Sequence, residues 1–224
     1  MFRDLRKDEI DVRVAMCKQN GVSLLLYKDA RVDQDILDET VGAMNWQRKH
    51  TRDNANCIVE IWDDKKQQWI SKEDTGTESN TEKEKGLASD SFKRACVNWG
   101  IGRELYTAPF IWVNSENCKI VQDPNRKDKY GNPIYVCSDK FTVEAIQIEN
   151  KKITGLSILC NGKRCFEWGN VPISEQQAMT LESLLKAKYD DETITKTLKD
   201  GYKVNNVREL DTKQYVDIVK KIGS

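Results

Sequence analysis

The chain of 224 residues is long enough for one domain with a small appendage or for two modest domains, and folding can bury roughly 70% of the unfolded surface. Lysine and arginine total 36, as do aspartate and glutamate, so the formal charge is zero and a uniformly basic protein is excluded. No apolar run approaches the ~20 residues of a membrane span, so no membrane partner is expected.

A nucleic-acid partner stays open if the positive charge gathers on one face, because phosphate binding depends on local lysine and arginine density. The opening Met1-Phe2-Arg3-Asp4-Leu5-Arg6-Lys7-Asp8 lacks the apolar stretch of a secretion signal, which predicts a reducing cytoplasm. Cys17, Cys57, Cys96, Cys118, Cys137, Cys160 and Cys165 then read as free thiols, and none are spaced Cys-x-x-Cys. With His50 the only histidine, a histidine-rich metal site or a serine-histidine-aspartate triad would rest on that residue. Neither a metal nor a cofactor is expected.

Gly21 to Tyr27 reads as a strand, and a helix follows with Asp33 as N-cap, Ile36, Leu37, Thr40, Val41 and Met44 on one side, and Gly42 near its end. Three extended segments come next, at 46–50, 57–62 and 68–72, the last two joined by the polar turn Asp63-Asp64-Lys65-Lys66. A long helix opens on the capping box Thr81-Glu82-Lys83-Glu84 and runs to Gly100-Ile101-Gly102. Its apolar stripe is Leu87 or Ala88, Phe92, Ala95, Cys96 and Trp99, flanked by Lys93 and Arg94 at about 100° and 200° from Phe92. The stretch after Pro109-Phe110-Ile111-Trp112-Val113 reads as loop-rich, with turns at Asp123-Pro124-Asn125 and Tyr130-Gly131-Asn132-Pro133. Segments 141–148, 153–160 and 164–168 predict a three-stranded meander whose second turn is Asn161-Gly162. Beyond Pro172, the capping box Ser174-Glu175-Gln176-Gln177, the stripe Ala178, Leu181, Leu184 and Leu185, and two shorter patterns around Ile194 and Ile218 predict a small helical module. The fold class is α+β: an antiparallel β-meander packed on a long helix over residues 1–170, then a helical C-terminal module over 171–224.

An ATP-driven recombinase would need a phosphate-cradling loop. Gly162-Lys163 is followed by Arg164, and Ser157 stands where the first glycine belongs; Gly100-Ile101-Gly102 lacks a third glycine at Leu105. Glu60, Asp63, Asp64 and Asp74 could be carboxylates of a metal-dependent nuclease, but they lie mostly in an apparent hairpin turn where solvated acids are the default. The basic clusters Arg126-Lys127 with Lys129, Lys151-Lys152 and Lys163-Arg164 coincide with turns. Arg48-Lys49-His50 with Arg52 follows Trp46, and Lys93-Arg94 flanks an apolar stripe; a cationic row beside an aromatic is what single-strand binding uses.

From Asp74-Thr75-Gly76-Thr77-Glu78-Ser79-Asn80 through Lys85-Gly86-Leu87-Ala88-Ser89-Asp90-Ser91-Phe92-Lys93-Arg94-Ala95-Cys96-Val97-Asn98-Trp99-Gly100-Ile101-Gly102-Arg103-Glu104-Leu105-Tyr106 the chain resembles the bacteriophage Sak-type single-strand annealing proteins of the Rad-fifty-two superfamily. Gly42-Ala43-Met44-Asn45-Trp46 resembles that family's first block, and the likeness covers about residues 23–113. The resemblance implies an ATP-independent, non-enzymatic annealing protein for homologous recombination in a bacterial host cytoplasm, forming a ring or helical filament with single-stranded DNA in a basic groove. It implies DNA contacts at Lys93 and Arg94 and, by position, at Arg31. The residues themselves add Arg48, Lys49, Arg52 and Trp46 on the strand entering the groove, and Arg103 in the motif completes the candidate set. The helical module resembles phage recombination tails that engage the host single-strand-binding protein. A passive single-strand coat or host-factor recruiter is the alternative, with a nuclease behind it.

Overall fold

A computed structural model describes residues 1–77 and 83–223. The protein is mixed α+β with antiparallel sheets. Its contacts divide it into two compact units, Met1–Cys17 with Val22–Ile111 and Ile148–Ile153, and Lys18–Gly21 with Trp112–Gln147 and Thr154–Ser224.

In the first unit β1 (Asp11–Lys18) and β2 (Gly21–Tyr27) are neighbours, and β2 leads into α1 (Ala30–Val41). The N-cap of α1 is Asp29, whose carboxylate accepts from the Arg31 N–H at 2.8 Å, and not Asp33 as the sequence predicts. Asp33 lies a turn further in, where backbone donors already have helical partners, and its side chain is fully buried. Next come β3 (Trp46–Thr51), β4 (Asn56–Asp63) and β5 (Gln68–Thr75), an antiparallel meander in the predicted order. Register opposes Trp46, Arg48 and His50 to Ile61, Val59 and Cys57, so these six share one face. Cys57, Val59 and Ile61 are buried there under α2 (Lys83–Trp99), which contributes fully buried Phe92, Ala95 and Cys96. The Trp99 indole N–H donates to the Val59 carbonyl at 3.1 Å and pins the end of α2 to the central strand.

The predicted capping box of α2 rests on Thr81, which lies outside the described residues. Its C-terminal stop follows the sequence: Gly100 and Gly102 take φ of +94° and +66°. Arg103 begins a 3-10 turn, Arg103–Thr107, in which Glu104 is fully buried and accepts from the Leu5 N–H at 2.8 Å.

The second unit carries β6 (Ile111–Asn114), β7 (Val121–Lys127) and β8 (Pro133–Val136), followed by β9 (Phe141–Glu149), β10 (Lys152–Cys160) and β11 (Lys163–Gly169), which lie side by side. Where the sequence reads as loop, β7 and β8 pair antiparallel; β7 is polar and mostly exposed, and β8 is only four residues long, so neither gives an alternation to detect. The predicted hairpin between β10 and β11 forms with Asn161 and Gly162 both at positive φ. In α3 (Glu175–Lys188) the Ser174 N–H donates to Gln177 Oε1 at 2.9 Å and Ser174 Oγ accepts from the Gln177 N–H, as the capping box requires. Next, α4 (Asp191–Lys196) runs into a π-helical turn, Thr197–Tyr202, and α5 (Thr212–Gly223) closes the module. Ala178, Leu181, Leu185, Leu198, Ile218 and Ile222 share one buried cluster. Leu184, predicted in that stripe, is exposed, because Leu181 and Leu185 already set the buried edge.

Candidate nucleic-acid interface

The first unit carries an open cleft of about 520 Å3 whose charged lining residues are Arg13 of β1, Lys28 after β2, and Asp90, Lys93 and Arg94 of α2. Four cations face one carboxylate on a chain of zero net charge. Lys93 and Arg94, singled out in the sequence, both line this cleft. Arg13 and Lys28 are additions; Arg13 stands alone in sequence beside no aromatic, and only the strand pairing of β1 and β2 could have signalled it.

Each charge is held differently. Asp90 accepts from the Thr77 N–H at 2.9 Å and from its hydroxyl at 3.2 Å, so it ties the residue just past β5 to α2. Arg94 reaches Asp74 at 3.4 Å with its side chain 42% exposed, a pairing of about 0–1 kcal/mol that a phosphate oxygen can replace. Lys28 is nearly buried and pairs with the fully buried Asp33. Burial pushes the Asp33 carboxyl up to about 6, opposed by the charges of Lys28 and Lys93. Gly102 makes room for this arrangement, since a Cβ there would stand 2.2 Å from Lys28 Cε. Around the opening, Tyr27 and Tyr106 line the cleft and are 40% and 69% exposed.

The remaining candidates lie elsewhere on this unit. Trp46 stacks on Phe92 with ring centroids 6.1 Å apart and donates its indole N–H to Asp38 at 2.6 Å. The Arg48 guanidinium sits over the same Phe92 ring, 4.6 Å from its centroid. Lys49 alternates to the opposite face of β3 and pairs with Glu60 at 2.8 Å. Arg31 is exposed in the first turn of α1, and Arg52 occupies the β3–β4 turn at positive φ. Arg103 donates to the Val97 carbonyl at 3.0 Å and the Asn98 carbonyl at 3.2 Å, so its guanidinium caps the end of α2. None of these six lines the cleft.

The acidic residues weighed as a metal site do not converge. Glu60, on the outer face, accepts from Gln47 and Ser71 in addition to Lys49. Asp74, on the helix-covered face, pairs with Arg94 and Asn98. Asp63 accepts from the Lys65 and Lys66 N–H groups in the turn, and Asp64 from the Trp62 indole. Among the described residues no group of three or more His, Cys, Asp and Glu is arranged to hold a metal ion. His50 Nδ1 lies 3.5 Å from Ser91 Oγ, but Ser91 is fully buried and donates to the Asn54 and Ala88 carbonyls. Among the described residues no helix is long and apolar enough to cross a membrane.

Comparison with family models, with curated proteins and with solved structures gives no match.

Proposed function

We propose that the chain is an ATP-independent single-stranded DNA-binding and annealing protein of the Sak type in the Rad-fifty-two superfamily, acting in phage recombination in the host cytoplasm. The observation that carries this reading is the cleft, where an electrically neutral chain gathers Arg13, Lys28, Lys93 and Arg94 around one opening. Phosphates pair with Lys93, Arg94 and Arg13, and bases beyond the cleft stay available to a complementary strand. Pairing supplies the driving force, about 1.4 kcal/mol per base-pair step, so the protein needs no nucleotide cofactor. Subunits assemble into a ring or helical filament that sets successive clefts along one strand. The helical module recruits the host single-strand-binding protein, and its apolar groove of about 220 Å3 between Leu185, Ile194, Leu198 and Ile222 gives that recruitment a physical basis.

The test is annealing of two complementary labelled strands with EDTA and no ATP, using wild type and a Lys93→Ala, Arg94→Ala double variant. Acceleration by the wild type, with loss in the variant and a salt dependence shallower by about 0.7 per removed contact, is the expected result. Tight binding without acceleration replaces this reading by a passive coat or recruiter. Magnesium-dependent loss of labelled strand replaces it by a nuclease.

A further inference from the structure

We infer that the cleft seats an unpaired nucleobase against the rings of Tyr106 and Tyr27 while its flanking phosphates meet Lys93, Arg94 and Arg13. This rests on the reading of the cleft as a single-strand site and names what it recognises: the face of a base, which a duplex keeps covered by its neighbours.

The aromatic side of the cleft is as specific a feature as its charge. Tyr27 ends β2 and Tyr106 lies in the 3-10 turn after α2, 79 positions apart in the sequence, yet both open onto the same space as the three accessible cations. Both rings are accessible, Tyr27 40% and Tyr106 69% exposed, so a ligand in the cleft can reach their faces. Leu105, Pro109 and Leu25 extend the apolar lining, so the cleft combines cationic and apolar surface. An amphipathic nucleotide has a matching combination: a charged phosphate and an apolar, π-faced base.

The turn carrying Tyr106 is anchored on both sides. Arg103 is tied to the Val97 and Asn98 carbonyls, and the Thr107 hydroxyl donates to the Glu104 carbonyl at 2.7 Å while accepting from the Ile153 N–H at 2.9 Å. Glu104 between them is fully buried. The ring is therefore presented from a fixed backbone, and covering it with a base costs little ordering. The base so held is withdrawn from pairing while its neighbours are not, which makes the cleft selective for single strands without reading sequence.

The test compares binding of a thymidine oligonucleotide, an abasic strand of the same length and inorganic polyphosphate by fluorescence competition. Wild type should prefer the base-bearing strand over the other two by about tenfold or more. Tyr106→Ala should lose most of that preference with an unchanged salt slope, Tyr106→Phe should keep it, and Tyr27→Ala should lose part of it. Thermal unfolding of each variant establishes that it is folded, which the exposure of both side chains leads one to expect. Equal binding of abasic and base-bearing strands by wild type overturns the inference and leaves the single-strand reading standing if Lys93→Ala, Arg94→Ala still abolishes binding. Absence of binding to any of the three overturns both.

Discussion

Lys28 and Asp33 form an ion pair with almost no access to water, the ammonium 4% and the carboxylate 0% exposed, directly behind a cleft whose other cations face solvent. Removing two charges from water costs several kcal/mol per ion, and their attraction returns that only when both partners are present. Lys28→Ala strands a buried carboxylate and is expected to destabilise the protein by about 3–5 kcal/mol. The double variant Lys28→Met, Asp33→Leu should recover most of that loss. Chemical denaturation of Lys28→Met, Asp33→Leu and the double variant closes the cycle, and additive losses would contradict a paired role.

The same pair predicts a pH dependence of stability. Burial outweighs the attraction of Lys28 and Lys93 and sets the Asp33 carboxyl at about 6, against about 4 in an unfolded chain. The folded state holds this proton more tightly, so the contribution of Asp33 to stability is complete below about pH 4 and is lost as pH rises through about 6. Carboxylates such as Glu60 and Asp139, held low by hydrogen bonds from Lys49 and from the Lys119 N–H, run the other way. The informative quantity is therefore the stability of wild type relative to Asp33→Asn. It should rise by about 2 kcal/mol on going from pH 7.5 to 4.5. A difference that stays constant or falls would show that Asp33 is ionised throughout.

Arg48 and Lys49 are adjacent in sequence but occupy opposite faces of β3, one over Phe92 and the other beside Glu60. A single ligand on one face meets only one of them. With phosphates seated against Lys93, Lys49→Ala should leave oligonucleotide affinity within about twofold, since it gives up only a surface pair of about 0–1 kcal/mol. Lys93→Ala should weaken binding to all sequences alike. Arg48→Ala should lower stability by about 0.5–1 kcal/mol through loss of its contact with the Phe92 ring. Anisotropy titrations at two salt concentrations measure the affinities, and a loss at Lys49 equal to that at Lys93 would place the strand on the outer face.

These contrasts mark how far the sequence reached. The meander β3 to β5, the stripe Phe92-Ala95-Cys96, the glycine stop of α2 and the Ser174 capping box were readable because each is a local pattern: alternation, helical period, or a cap within four residues. The N-cap of α1 was misplaced because Asp29 and Asp33 both satisfy the local rule, and only the tertiary pairing of Asp33 with Lys28 separates them. Strand β1 does alternate, Val12, Val14 and Met16 against Asp11, Arg13 and Ala15, but its apolar side chains are at most half-buried, while β7 is polar and β8 only four residues long. Of the cleft's lining, Lys93 and Arg94 stand out in sequence by their place beside a stripe. Arg13, Tyr27 and Tyr106 come from three separated elements and meet only after folding, a relationship no window of sequence contains.

Reactivity of the cysteines gives a last check. They read as free thiols, and none of the seven is in a disulfide. Burial raises Cys57 and Cys160 to about 11 and Cys118 and Cys165 to about 12, and the fully buried Cys96 is raised well above the usual thiol value by the same cause with Asp33 adding to it. Cys137 and Cys160 lie 3.8 and 3.6 Å from the Asp139 carboxylate, whose negative charge also disfavours a thiolate at Cys160. An ordinary cysteine, near 8.5, is about one quarter thiolate at pH 8, whereas a thiol at 11 is thiolate about once in a thousand. Native protein treated with iodoacetamide at pH 8 should therefore modify these five positions at least about a hundredfold more slowly than a free thiol, and urea should bring them to the ordinary rate. Fast labelling of Cys118 or Cys165 in the folded protein, read by peptide mass spectrometry, would mean that the strands around Asp139 open far more readily than their packing implies.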